Sequence, residues 1–291
     1  MRSLLFVPAH DARKLAKGVA CGADALIVDL EDAVPPSEKT RARGLCAEFV
    51  SEHRDRMRLF VRINSLDSGL ALGDLEAVVR ARPFGIMLPK CASGRDVARL
   101  DAHIAALEAR DNVRAAALRI LPIATETAAS LFGMHSYARK AGPRLCGMMW
   151  GAEDLASDVG AVASRGLDGR YSAPYELARS LTLMAATAAQ VPAIDAVYTN
   201  FRDAAGLKAE ALQALRDGFS AKAAIHPDQI GPIHEAFTPS NEDVVWATRV
   251  LAAFEEQPAA GAISLDGKML DRPHQRAARR VLERAGALDK S

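Results

Sequence analysis

Eight apolar runs recur along the chain, at 3–7, 25–30, 59–63, 85–88, 120–124, 145–150, 193–198 and 221–225. Most are continuously apolar instead of alternating with polar residues. A strand of that kind is buried on both faces, as in a parallel sheet covered by helices. The intervening segments carry apolar residues at helical spacing and predict helices, among them 41–53, 95–109 and 175–189. Eight strand–helix units in roughly 230–250 residues are what a TIM barrel needs. A doubly wound open sheet is the competitor, but no G-x-G-x-x-G follows the first run. The expected fold is therefore α/β, a TIM (β/α)8 barrel.

The pattern changes after residue 225. Ser240 and Asn241 are capping residues that predict a helix over 242–256. The segment 261–271 reads as a hairpin about an Asp266-Gly267 turn, and a basic helix follows over 275–284. None of this makes a ninth barrel unit. The expected organisation is a catalytic barrel domain over 1–256 and a C-terminal helical and hairpin extension over 257–291. That extension could close over a site as a lid or reach a neighbouring subunit.

Chemistry concentrates where the strands end. Two apolar runs terminate in acids: 119–127 reaches Glu126, and 145–155 reaches Glu153 and Asp154. In a parallel barrel those ends converge on the ligand-bearing rim. Glu126 and Asp154 together could hold a hard cation such as Mg2+ and leave positions for water and substrate. Each acid could equally cap the helix that follows it. The same rim collects Asp29, Glu31, Asp32, Arg62, Asn64, Lys90 and His226. Asp29, Glu31 and Asp32 suit support around a metal, or ion pairing with Arg62. Arg62 suits a bidentate grip on a carboxylate or a developing oxyanion, and a metal beside it suggests a 2-oxo acid. Lys90 lacks the desolvated pocket of a nucleophilic amine and reads as a pairing lysine. Arg13 and Lys17 lie one helical turn apart, as phosphate receptors or as a solvated basic face.

Composition removes alternatives. The formal net charge is +1 and no Lys/Arg block stands out, so nucleic acid is not an expected partner. Cys21, Cys46, Cys91 and Cys146 form no C-x-x-C pair and read as reduced thiols. The first apolar run is too short for a signal peptide or a span, so a cytoplasmic protein with no membrane partner is expected.

An ordered set of segments carries a family resemblance: R-S-L-L-F-V-P at 2–8, D-L-E-D at 29–32, V-R-I-N at 61–64, M-L-P-K at 87–90, E-T at 126–127, G-A-E-D-L at 151–155, F-R-D-A-A-G-L at 201–207, A-I-H-P-D-Q-I at 224–230 and G-K-M-L-D at 267–271. The chain resembles the citrate lyase beta-subunit-like CoA ester lyases of the HpcH/HpaI aldolase superfamily, whose relatives include malyl-CoA lyases. That resemblance implies Mg2+ on Glu126 and Asp154, and Arg62 on the 2-oxo acid. It further implies that Phe6, Arg13, Lys17, Lys39, Ile225 and His226 seat the CoA of a CoA thioester substrate. Asp271 would come from an adjacent subunit of a homotrimer or hexamer and act as the acid/base. The implied reaction is Claisen-type cleavage or formation of a 3-hydroxyacyl-CoA. Rivals with the same pocket are a malyl-CoA thioesterase or malate synthase-like enzyme, an aldolase without CoA, and a beta subunit working on an acyl-carrier partner within a citrate lyase complex.

Overall fold

The computed structural model describes residues 1–258 and 260–286; residues 259 and 287–291 of the expected C-terminal extension lie outside the described residues. Eight strands follow the eight apolar runs: β1 Ser3–Pro8, β2 Ala25–Asp29, β3 Arg58–Arg62, β4 Gly85–Leu88, β5 Arg119–Pro122, β6 Met148–Met149, β7 Ala193–Asp195 and β8 Ala221–Ala224. Every pairing among them is parallel, in the spatial order β5-β4-β3-β2-β1-β8-β7-β6. The two ends of that order meet through single bridges, Ile120 with Leu145 and Ile123 with Met149. Backbone hydrogen bonds there include Ile120 N–H to Arg144 O at 2.8 Å and Ala124 N–H to Met149 O at 2.7 Å. The sheet thus curls into the expected TIM barrel, nearly closed, with its weakest seam between β5 and β6.

Each strand sends a side chain inward. Leu4, Ile27, Phe60, Met87, Leu121, Met149, Ile194 and Ala221 pack into one cluster, one from each strand. Their neighbours along the strands face the helices, and the strand alternation explains an unusual outward residue. Lys222 lies between the inward Ala221 and Ala223 and is fully buried. Its ammonium donates to Asp195 Oδ2 at 2.7 Å, Ala196 O at 2.8 Å and Glu210 Oε1 at 2.8 Å. Asp195 also accepts from Trp150 Nε1 at 2.7 Å and Arg179 Nε at 3.1 Å. A buried lysine of this kind is tolerable only because every N–H is matched.

The chain divides into two compact units, Met1–His234 and the segment from Glu235 onward. The expected boundary at 256/257 therefore falls inside the second unit. The reason is the apolar face of the helix Asn241–Glu256, which the sequence pattern assigned to the barrel. Its Ala247, Val250 and Phe254 pack with Ile263 and Leu270 of the hairpin and with Ala278 and Leu282 of the last helix, Arg272–Ala285. The hairpin strands are β9 Ala262–Leu265 and β10 Lys268–Asp271, paired antiparallel. Asp266 (φ +51°) and Gly267 (φ +73°) turn it, the two left-handed residues that a two-residue loop requires. No described helix is long and apolar enough to cross a membrane.

Candidate active site

Because all eight strands point the same way, the segments after β2, β3, β4, β5 and β6 share one rim. Asp29 and Arg62 are register partners on adjacent strands. There the Arg62 fork closes on Asp29, Nε to Oδ1 at 2.8 Å and Nη2 to Oδ2 at 2.7 Å. Arg62 Nη1 lies 3.0 Å from Glu31 Oε2 and 3.9 Å from Asp32 Oδ2. The bidentate edge expected to grip a substrate is thus occupied by Asp29, because the register sets the two side by side. The Nη1 edge faces the other acids. Burial works against the Arg62 charge, but Asp29 and Glu31 outweigh it and leave its pKa raised. The Phe6 ring centroid lies 5.0 Å from the guanidinium carbon, within cation–π reach.

Asp29 does a second task. Its oxygens accept from the backbone N–H groups of Glu31 at 2.9 Å and Ala33 at 3.2 Å, shaping the turn that presents Glu31 and Asp32. Lys39 finishes that turn. Its ammonium donates to Leu30 O at 2.6 Å, Glu31 O at 2.7 Å and Asn64 Oδ1 at 2.8 Å. All three of its protons are used in this way, so Lys39 orders the acid-bearing loop; the resemblance had it seating CoA.

Glu126 follows β5 and is 3% exposed. One carboxylate oxygen accepts from the backbone N–H of Lys90. Burial, then the charges of Asp154 and Glu31, push its carboxyl up to about 8. Asp154 arrives from the β6 side, in the first turn of the helix Glu153–Asp158, where the N–H groups favour an anion. Asp154 makes no side-chain capping bond at that helix start, and its charge is felt at Glu126. Thr125 ties the two segments, its hydroxyl donating to Gly151 O at 3.1 Å and accepting from Gly151 N–H at 2.9 Å. Gly151 leaves the space Glu126 needs: a Cβ there would lie 3.0 Å from Glu126 Cγ.

Lys90 sits at the centre. Its ammonium donates to Glu31 Oε1 at 2.6 Å and lies 3.6 Å from both Asp32 Oδ2 and Asp154 Oδ1. Burial opposes its charge, yet Glu31, Asp154 and Glu126 hold its pKa above the usual lysine value. Lys90 is thus the pairing lysine of the rim that the sequence reads it as, not a nucleophilic amine. Its left-handed backbone (φ +50°), which aims the N–H at Glu126, leaves no trace in a one-letter string.

These residues fit a hard dication. Burial first, and then its acid neighbours, raise the Glu126 carboxyl to about 8, so a cation that takes the carboxylate would release a proton near neutral pH and neutralise the cluster. Among the described residues no group of three His, Cys, Asp or Glu side chains is arranged to hold a metal. Two carboxylates with water are nevertheless a common Mg2+ set.

The remaining candidates are more dispersed. Arg13 and Lys17 are exposed on the helix Ala12–Ala20. Ile225 is 41% exposed, and the His226 ring stacks on Phe201 at 4.8 Å. Asp271 belongs to the second unit, at the junction of β10 and the last helix, with His274 Nδ1 2.6 Å from its Oδ1. That contact holds the Asp271 carboxyl below its ordinary value. All four cysteines are free thiols, as their spacing predicts.

The model of the HpcH/HpaI aldolase/citrate lyase family matches residues 2–227. A (3S)-malyl-CoA thioesterase from Cereibacter sphaeroides is 35% identical over 99% of this chain and 95% of that protein. The mitochondrial citramalyl-CoA lyase of Mus musculus is 32% identical over 99% of this chain and 86% of its own. Among solved structures, the CitE protein of Mycobacterium tuberculosis in complex with magnesium, acetoacetate and coenzyme A superposes with a TM-score of 0.78 at 35% identity, covering 98% of both chains. With a family model spanning most of the barrel and relatives aligned end to end, the chain belongs to the HpcH/HpaI aldolase/citrate lyase family.

Proposed function

We propose that the protein is a Mg2+-dependent carbon–carbon lyase that cleaves a 3-hydroxyacyl-CoA into an acyl-CoA and a 2-oxo acid, or joins the two in reverse. The observation that carries this reading is the buried Glu126 beside Asp154, with Arg62, Glu31 and Lys90 around them. The named partners of the similar proteins agree with it: magnesium, acetoacetate and coenzyme A in the CitE complex, and a citramalyl-CoA lyase among the relatives. Mg2+ held by Glu126 and Asp154 supplies Lewis acidity toward the oxygens of the oxo-acid portion.

The chain's own groups do the rest. Arg62, braced by Asp29 and Phe6, offers negative substrate oxygen the Nη1 edge that it shares with Glu31. Lys90 keeps Glu31 and Asp32 from repelling an anionic substrate. Arg13 and Lys17 offer exposed charge to CoA phosphates, and Ile225 with His226 offers it an apolar, aromatic ledge. In cleavage the C–C bond breaks as the substrate hydroxyl gives up its proton. Asp271, delivered by a second copy of the chain in a trimer or hexamer, takes up that proton and places it on the enolate carbon of the departing acyl-CoA; the same transfers run backwards in the reverse direction.

The second reading is thioester hydrolysis, favoured by the malyl-CoA thioesterase among the relatives. Products separate the two. The purified chain with Mg2+ and a panel of 3-hydroxyacyl-CoA thioesters should yield acyl-CoA and a 2-oxo acid, identified by mass. Free CoA with an intact hydroxy acid would replace the lyase with the thioesterase, and no turnover of any thioester would sink both.

A further inference from the structure

The opposite end of the barrel holds a second feature that the proposed reaction leaves unused. A cleft of about 550 Å3 opens among segments 54–58, 82–84 and 117, just ahead of β3, β4 and β5. In a chain whose basic and acidic residues nearly balance, 37 against 36, this hollow gathers Arg54, Arg56, Arg58 and Arg82 with the single acid Asp55. Asp55 neutralises little, since its side chain is 89% exposed and its oxygen lies 3.8 Å from Arg54 Nε. Arg54 is anchored to Ala81 O at 2.8 Å. Among the described residues, Arg56 and Arg82 make no side-chain hydrogen bond or ion pair, so both guanidinium forks are open.

Like charges gathered around a single exposed acid repel one another, and a wall that is mostly of one sign draws an incoming anion. The backbone holds this arrangement against its own preference: Arg82 ends the short turn Val79–Ala81 in the left-handed region (φ 58°, ψ 59°), where glycine is usual. Beside the guanidiniums lies an aromatic face. Phe84 is 39% exposed, braced edge-on by Phe60 at 5.2 Å, with the Arg58 guanidinium 5.6 Å from its ring centre. Open guanidinium forks take phosphates, and an exposed ring braced from behind takes a planar base.

We propose that this cleft binds a nucleoside polyphosphate, its phosphates on Arg56 and Arg82 and its base against Phe84, at the end of the barrel away from the acid cluster. ADP and inorganic pyrophosphate are the probes, titrated calorimetrically into the full chain at low salt. ADP should bind saturably and more tightly than pyrophosphate. Arg56→Ala with Arg82→Ala should weaken it about tenfold or more, and Phe84→Leu should bring ADP down to the pyrophosphate affinity. An azido-adenine nucleotide should label segments 54–58 or 82–84 of the unaltered protein, which needs no variant to fold. No saturable ADP binding, an affinity indifferent to the two arginines, pyrophosphate binding as tightly as ADP, or labelling confined to other segments would each overturn the assignment. None of these readouts depends on lyase turnover.

Discussion

Glu126 is where charge and metal are linked most tightly. Without a cation its carboxyl is lifted from 4.5 to about 8, by burial first and then by Asp154 and Glu31. Between those values the folded chain keeps a proton that the unfolded chain has lost. The stability tied to that proton is complete below the lower value and disappears as pH rises through the upper one. A cation needs the carboxylate, so binding near pH 7 must expel the proton. Calorimetry in buffers of different ionisation heat should show about one proton released per Mg2+ at neutral pH and almost none above about pH 9. Glu126→Gln should remove both the release and the Mg2+-dependent turnover; binding near neutrality without proton release by the unaltered chain would disprove the linkage. Arg62 tests a different bond. Asp29→Asn leaves its buried guanidinium with half a partner, and chemical denaturation should reveal a loss of about 3–5 kcal/mol, the cost of breaking a buried pair. A loss below about 1 kcal/mol would mean that Glu31 and Asp32 suffice to hold Arg62, as exposed pairs do elsewhere.

The loops after β5 and β6 explain what could be read from the string of residues and what could not. Apolar runs ending in Glu126 and Asp154 are legible because a strand buried on both faces has no reason of its own to end in an acid, although helix capping remains open for each acid taken singly. The eight-strand barrel followed from the same runs, and the hairpin from its Asp-Gly turn. Lys222 was hidden inside an apolar run, because its partners Asp195 and Glu210 come from distant segments. Lys90 was legible as a pairing lysine but its central place was not, for a similar reason: that place depends on a left-handed peptide and on acids from three other strand ends. Spacing leaves the Arg62 fork open to either a substrate or an ion pair with Asp29, because strand register, which sets Asp29 opposite it, is not written in spacing. Gly151 is the clearest case of a residue whose role only geometry shows. Gly151→Ala would put a methyl 3.0 Å from Glu126 Cγ and 3.2 Å from Ile123 Cγ2, both side-chain atoms that can shift slightly. The fold should therefore survive with little change in Tm, while Glu126 is displaced and Mg2+ affinity falls about tenfold or more, as for other lost supports of a metal ligand. Unchanged Mg2+ affinity in calorimetry would show that Glu126 tolerates the displacement.

The arrangement of copies decides whether Asp271 can act at all. It lies in the second compact unit, partly exposed, with its carboxyl kept in the charged form by His274. A charged carboxylate is ready to remove a carbon-bound proton, and it returns that proton once it has taken it. If each copy lends Asp271 to a neighbour's Glu126 site, two inactive variants can repair one another. Asp271→Asn keeps a complete metal site and Glu126→Gln keeps a complete Asp271, so a mixed oligomer contains some sites with both groups intact. Co-expression of the two should restore about a quarter of the unaltered activity, the chance that an unmodified core meets an unmodified donor in a random closed ring. Were Asp271 to serve its own chain, every site in the mixture would lack one group and activity would stay at the background of the single variants. His274→Ala adds a check on direction: without its partner the Asp271 carboxyl should return toward the ordinary value, moving the acidic limb of the pH–rate profile upward while leaving the Mg2+ affinity alone.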